Sequence, residues 1–259
     1  MDFKGKTAVI TGASSGIGLA YSLEFAKRET NLVLVARSEA ALKKLAADIR
    51  EQHGVNVEVI SQDLATISAG RELMGKLADL NISPDILVNN AGFGTNNRVS
   101  KEDRSKIQQE ILLNVVTLVD LTTALLPELL KKNNGAIINI GSTASFQPVP
   151  GMAIYGATKA FVRSFTEALW GEVRKTGVRV LTVNPGATAT EFFNVAGATP
   201  STALAPVSKV VTETFKALES SKSKPSIIVG VRNAFMAKLT RLLPAKLVIN
   251  VAGKLFLHD

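Results

Sequence analysis

Apolar residues in this chain alternate between two rhythms. Short runs rich in β-branched residues, at 7–11, 31–36, 55–60, 84–89, 135–141, 177–183 and 226–230, read as buried strands. Between them, apolar positions recur three or four apart, which predicts helices, among them 39–51, 104–130 and 155–170. In the last of these Phe161, Phe165 and Leu169 follow one another at i, i+4 and i+8 with no proline. Strand and helix in regular alternation predict an α/β fold, a doubly wound parallel sheet of seven strands with helices on both faces. No repeat, low-complexity tract or linker interrupts the pattern, so one domain is expected over 1–259.

The rhythm weakens twice. Residues 187–206 are irregular and read as a mobile flap. Beyond 230, Phe235, Met236, Leu239, Leu242 and Leu243 fall near one helical face with Lys238 and Arg241 beside them; Pro244 interrupts, and Leu247-Val-Ile-Asn-Val251 resumes. A basic amphipathic extension at 231–259 suits three uses: a pocket cover, a subunit contact or a membrane-surface contact. Most of the formal charge of +8 sits in the last fifth of the chain, with nine Lys/Arg against three acids between residues 208 and 259. No basic stripe is interleaved with aromatics, so nucleic acid is not an expected partner.

Cysteine is absent, which excludes disulfides and thiolate metal sites and suggests a reducing compartment. His53 and His258 are too few for a histidine metal cluster, and no metal is expected. Met1-Asp-Phe-Lys-Gly-Lys6 runs straight into the first strand, and no run of about 18 apolar residues is evident. Neither a signal peptide nor a spanning helix is expected, and the cytoplasm is the expected location, with peripheral membrane contact through the tail left open.

Candidate chemistry sits at the strand ends. Tyr155 and Lys159, four apart on one helix, share a face. A free phenol titrates near pKa ~10, and an ammonium one turn away is expected to lower that. Ser142 closes the fifth strand and is brought close to Tyr155 by a short loop holding Pro148 and Pro150. Asn114 lies among Leu112, Leu113, Val115 and Val116, where a buried amide needs partners. After the first strand come Gly12, Ser14, Ser15, Gly16, Ile17 and Gly18, a glycine turn opening a helix whose free N–H groups attract phosphate. The spacing is G-x-x-x-G-x-G rather than G-x-G-x-x-G. At the second strand's end, where a carboxylate would meet a ribose 2′-hydroxyl, stand Ala36, Arg37 and Ser38. A guanidinium in place of a carboxylate favours NADP(H) over NAD(H). Asn89-Asn90-Ala91-Gly92 suits a ligand-facing turn, and Gly12, Asp63, Asn90, Ser142 and Pro185 all follow strand ends, so one crevice can hold them.

Taken together, these motifs resemble the short-chain dehydrogenase/reductase family over roughly residues 5–230. Thr11-Gly12-x3-Gly16-x-Gly18 resembles its cofactor loop, Asn89-Asn90-Ala91-Gly92 its sheet-stabilising turn, and Asn114, Ser142, Tyr155 and Lys159 its catalytic set in order and spacing. The resemblance implies a Rossmann fold with a cofactor half (1–135) and a catalytic half (136–230). It also implies roles. Tyr155 would be the general acid/base and Ser142 would orient a carbonyl. Lys159 would hold ribose hydroxyls and depress the Tyr155 pKa, and Asn114 would fix a relay water. Asp63 and Leu64 would flank adenine, Asn90, Ala91 and Gly92 would lie along the cofactor, and Pro185, Gly186, Thr188 and Thr190 would contact the nicotinamide. Ser15 stands where NADP-binding members often carry a basic residue, so the NADP preference rests on Arg37 and Ser38. The segment 142–162 and the basic tail are most similar to the branch of 3-oxoacyl-CoA and 17β-hydroxysteroid reductases with uncharacterised bacterial relatives. The expected activity is hydride transfer between nicotinamide and an apolar ketone or secondary alcohol, by a homodimer or homotetramer. The alternative is a catalytically silent regulator or a membrane-peripheral scaffold. Phe93, Phe146, Phe192 and Phe193 are candidates to line the substrate pocket.

Overall fold

The computed structural model describes residues 1–200 and 203–257; Ser201 and Thr202 of the expected flap, and His258 and Asp259, lie outside the described residues. Strands β1 (Thr7–Thr11), β2 (Asn31–Ala36), β3 (Val57–Ser61), β4 (Ile86–Asn89), β5 (Gly135–Ile140), β6 (Val178–Asn184) and β7 (Ser226–Ile228) form one sheet. Every pairing is parallel and the order is 3-2-1-4-5-6-7. The expected strands are all present, with no end displaced by more than two residues.

Alternating side chains of each strand feed two cores, as the pleat requires. Ala8, Ile10, Leu32 and Leu34 pack with Tyr21 and Phe25 of α1 (Gly16–Lys27), with Leu42 and Ile49 of α2 (Glu39–His53), and with Phe215 of α8 (Val207–Glu219). Val9, Val33, Val35 and Ile137 face the other way. There they meet Leu73 of α3 (Ala69–Asp79), Leu121, Leu125 and Leu129 of α5 (Leu118–Lys132), and Leu169 of α6 (Ala153–Val173). Burial on both faces is why the strands read as continuous apolar runs rather than as alternating ones.

The expected single helix over 104–130 is three elements in one continuous rod: α4 (Arg104–Ile111), a π turn (Leu112–Thr117) and α5. The rod Arg104–Lys132 is long and apolar enough to cross a membrane by length and composition, contrary to the sequence expectation. Leu121, Leu125 and Leu129, each 3% exposed or less, lock it against the sheet as a core helix.

Strand order reverses between β1 and β4, so their carboxyl ends open a crevice where ligands bind in such sheets. Within the irregular 187–206 stretch lie the short helix α7 (Phe192–Ala196) and a bridge joining Thr188 to Ala205. Pro244 separates α9 (Val231–Thr240) from α10 (Ala245–Phe256), as its missing N–H and fixed φ require.

Candidate active site

The glycine turn is shaped by close approach. Gly12 has φ +67° and Gly16 φ +55°, a region L side chains rarely adopt. A Cβ on Gly18 would lie 2.2 Å from the Gly12 carbonyl oxygen and 2.6 Å from Asn90 Nδ2. Asn90 Nδ2 donates to the carbonyls of Thr11 (2.9 Å) and Gly12 (3.2 Å), which ties β4 to the turn. The Thr11 hydroxyl donates to Val88 O and accepts from the N–H groups of Asn90 and Ala91. Ser15, extended at the head of α1, makes no side-chain cap, so no side chain competes with an anion for the first-turn N–H groups. Across the turn, a Cβ on Gly16 would meet Thr190 Cγ2 at 3.0 Å.

At the rim, Arg37 is exposed just past β2, and Ser38 caps α2 by accepting from Ala41 N. Asp63 is exposed and accepts from Ala65 N, while Leu64 is buried and its carbonyl accepts from the Thr117 hydroxyl at 2.7 Å. On the far side the Pro185 carbonyl accepts from Thr143 N, and the Thr188 hydroxyl donates to Gly186 O.

Asn114 lies inside the π turn, a helical irregularity frequent at functional sites. Its amide nitrogen donates to Phe93 O (2.8 Å) and Thr158 Oγ1 (3.1 Å), and its oxygen accepts from Phe93 N (3.2 Å). The buried amide therefore has its partners. A Cβ on Gly92 would lie 2.9 Å from Asn114 Oδ1 and 3.4 Å from Lys159 Nζ. Both polar groups thus face one small space that only a glycine leaves open.

Tyr155 and Lys159 are buried on α6, and Lys159 Nζ lies 5.8 Å from the Tyr155 ring centroid. Burial pushes the Tyr155 phenol up to about 12; a hydrogen bond with the Ser142 side chain works the other way, and the charge of Glu110 raises it further. The expected lowering of the phenol by Lys159 is not seen. The ammonium donates to Ile140 O at 2.8 Å, at the end of β5, and its own pKa is pushed down to about 8 by burial. Desolvation of both groups outweighs their proximity. Ser142 Oγ also accepts from Ala144 N at 3.1 Å.

Sequence reasoning missed Glu110. It stands one turn before Asn114, is fully buried, and accepts from the Thr95 hydroxyl through Oε2 at 2.9 Å. Oε1 has no hydrogen-bond partner among the described residues. Burial raises its carboxyl from 4.5 to about 7; the Thr95 bonds and Lys159 oppose that shift, and Glu102 adds to it. The available signal was a carboxylate at i−4 from a candidate site residue on an inward-facing helix. Because the native carboxyl binds its proton more tightly than the unfolded one, stability should fall as pH rises from 4.5 to about 7. Glu110→Gln should remove that slope and stabilise the fold above pH 7 by roughly 2–3 kcal/mol. Urea midpoints at pH 5 and pH 8 test this; an equal pH dependence in both proteins would clear Glu110 of the role.

Of the aromatic candidates, Phe192 packs on Tyr155 with ring centroids 5.0 Å apart, and Phe193 stacks edge-on to Phe192. Phe93 serves Asn114 through its backbone. Phe146 does not line the Tyr155 patch; its ring lies against the guanidinium groups of Arg163 (4.5 Å) and Arg241 (5.5 Å). The apolar surroundings of Tyr155 are Val149, Met152 and Ala196, packed with Phe192 and with Phe256 from α10.

The chain matches the family model for short chain dehydrogenases over residues 6–200 and belongs to that oxidoreductase family. It is 34% identical over 195 residues to the bovine (Bos taurus) very-long-chain 3-oxoacyl-CoA reductase; the match covers 74% of this chain and 62% of that enzyme's length. A short-chain dehydrogenase from Sphingobium yanoikuyae, solved in complex with NADPH, superposes with TM-score 0.81 at 35% identity, covering 92% of this chain and 94% of that one. A bulky-bulky ketone specific alcohol dehydrogenase from Comamonas testosteroni gives TM-score 0.78 at 32% identity, with 92% of each chain covered.

Proposed function

We propose that this protein is an NADP(H)-dependent oxidoreductase acting on a bulky apolar ketone or the corresponding secondary alcohol. The observation that carries this reading is the meeting of Asn114 Oδ1 and Lys159 Nζ over Gly92, in the same buried site as Tyr155, with the Ser142 side chain beside the phenol. The relatives named above, one solved with NADPH and one specific for bulky ketones, support it.

The residues present fit such a cofactor. Gly12, Ser14, Ser15, Gly16, Ile17 and Gly18 form a cradle with an uncapped helix start for the diphosphate, and Arg37 with Ser38 would take the 2′-phosphate. Asp63 and Leu64 would border adenine, and Asn90, Ala91 and Gly92 would follow the ribose. Pro185, Gly186, Thr188 and Thr190 would bound the nicotinamide, which when bound supplies or accepts the hydride. Tyr155, protonated at neutral pH, would donate its proton to the carbonyl oxygen, and Ser142 would hold that oxygen in line. Lys159 would stabilise the phenolate formed, and Asn114 would hold a water in the space over Gly92 through which Tyr155 regains a proton. Val149, Met152, Phe192 and Phe256 would exclude bulk water and receive the substrate's apolar flank.

The cofactor assignment is tested by titrating NADPH and NADH against wild type and Arg37→Ala, followed by nicotinamide fluorescence. Loss of a charge-assisted phosphate contact should weaken NADPH by about 10–100-fold and leave NADH within about twofold. Equal effects on both would remove Arg37 from phosphate recognition.

A further inference from the structure

The two C-terminal helices present an outer surface that the fold does not use. On α9, Val231 and Phe235, one turn apart, are 88% and 64% exposed, and Leu242 in the following turn is 83% exposed. On α10, Leu247, Val251 and Leu255 recur at i, i+4 and i+8, which aligns them as one stripe, and all three are about half exposed. Val248 and Ala252, rotated from that stripe, are buried and anchor the helix. Soluble surfaces scatter such residues singly; a stripe aligned along one helix, with further exposed apolar side chains on the helix before it, marks something to be covered. From 231 to 257 the chain carries Arg232, Lys238, Arg241, Lys246 and Lys254 and no acid.

We propose that this face docks on an anionic lipid bilayer. Charge selects the occupant. A second copy joined about a two-fold axis would set this patch against itself, five cations facing five with no acid between residues 231 and 257 to pair them. An anionic leaflet supplies what the patch lacks: apolar depth for the stripe and negative headgroups for the flanking cations. The layer that would meet the membrane is also the layer over Tyr155. Phe256 of α10 packs in the Tyr155 cluster, and a Cβ on Gly151, just before α6, would strike the Phe256 carbonyl. An apolar ketone dissolved in the bilayer would then enter beneath α10 without crossing water. This last step rests on the ketone reading; the docking itself does not.

The test is flotation of the purified full chain with vesicles of phosphatidylcholine alone and with phosphatidylglycerol added. Binding is expected to the anionic vesicles only, and to be released by rising salt. Lys238→Glu with Lys246→Glu should weaken it by at least about fivefold per cation lost. Phe235→Ser with Leu242→Ser and Leu247→Ser should abolish it. NADPH titration should be unchanged in both variants, which shows that each still folds. Absence of binding to anionic vesicles overturns the proposal. So does a dimer in solution that the serine triple variant splits, which would give the face to a second copy. Flotation without turnover of any ketone would leave the docking standing and remove the enzyme reading.

Discussion

Tyr155→Phe is expected to lower ketone reduction by about 10³–10⁴-fold while changing NADPH affinity by less than about twofold. The substitution removes one oxygen from a ring already packed on Phe192 and enclosed by Val149, Met152 and Ala196, so the fold has no cavity to collapse and no new charge to bury. What disappears is the hydroxyl proposed to protonate a carbonyl oxygen while Ser142 orients it. With the phenol at about 12, reduction by wild type should be nearly flat in pH through the neutral range, because the acid form predominates throughout. Alcohol oxidation, which needs the phenolate, should instead climb with pH. Single-turnover reduction in the variant at rates within tenfold of wild type would move the proton donor elsewhere, with Ser142 the next candidate.

The elements and their order were legible in the sequence because each strand of a two-sided parallel sheet is apolar throughout and each helix carries one apolar face. The proximity of the candidate site residues was legible for a different reason: Tyr155 and Lys159 share a helix and Ser142 follows a strand end, while the roles proposed for them rest on the family resemblance. What spacing did not reveal was the environment. The helix rule applied to 104–130 has no means of foreseeing the π turn at Leu112–Thr117, within which Asn114 bonds to Phe93 and Thr158 of other elements. Glu110 was passed over because a carboxylate on a helix is ordinarily solvated, and only the tertiary fold encloses it. The same limit explains the phenol. Proximity of Lys159 in sequence argued for a lowered pKa, whereas burial of both groups decides the sign. Phe146 was one of four candidates to line the pocket, yet Arg163 and Arg241 claim its ring.

Lys159 is where stability and chemistry pull apart, and Lys159→Met should show both. Activity is expected to fall by about 10²–10³-fold, because the phenolate formed as Tyr155 gives up its proton and the ribose hydroxyls of the cofactor would both lose the cation proposed to hold them. Stability should respond through its pH dependence. The folded ammonium titrates at about 8 and the unfolded one at 10.5, so below about pH 8 both states are charged and the native state carries the full cost of burying that charge, roughly 3 kcal/mol. Between about 8 and 10.5 the unfolded state binds more protons, and wild-type stability should rise with pH across that window. Methionine removes the charge and with it the slope, but it also strips the Ile140 carbonyl of its donor, at about 1–3 kcal/mol. The two terms nearly cancel in magnitude, so a midpoint at one pH decides nothing; the slope decides. A wild type whose urea midpoint rises from pH 8 to 10 beside a flat Lys159→Met identifies the buried ammonium as the group responsible. Parallel curves would mean that the ammonium is solvated in the native state. In that case the reason for placing it beside Tyr155 would have to be its contact with bound ribose alone, readable as a loss of NADPH affinity rather than of turnover.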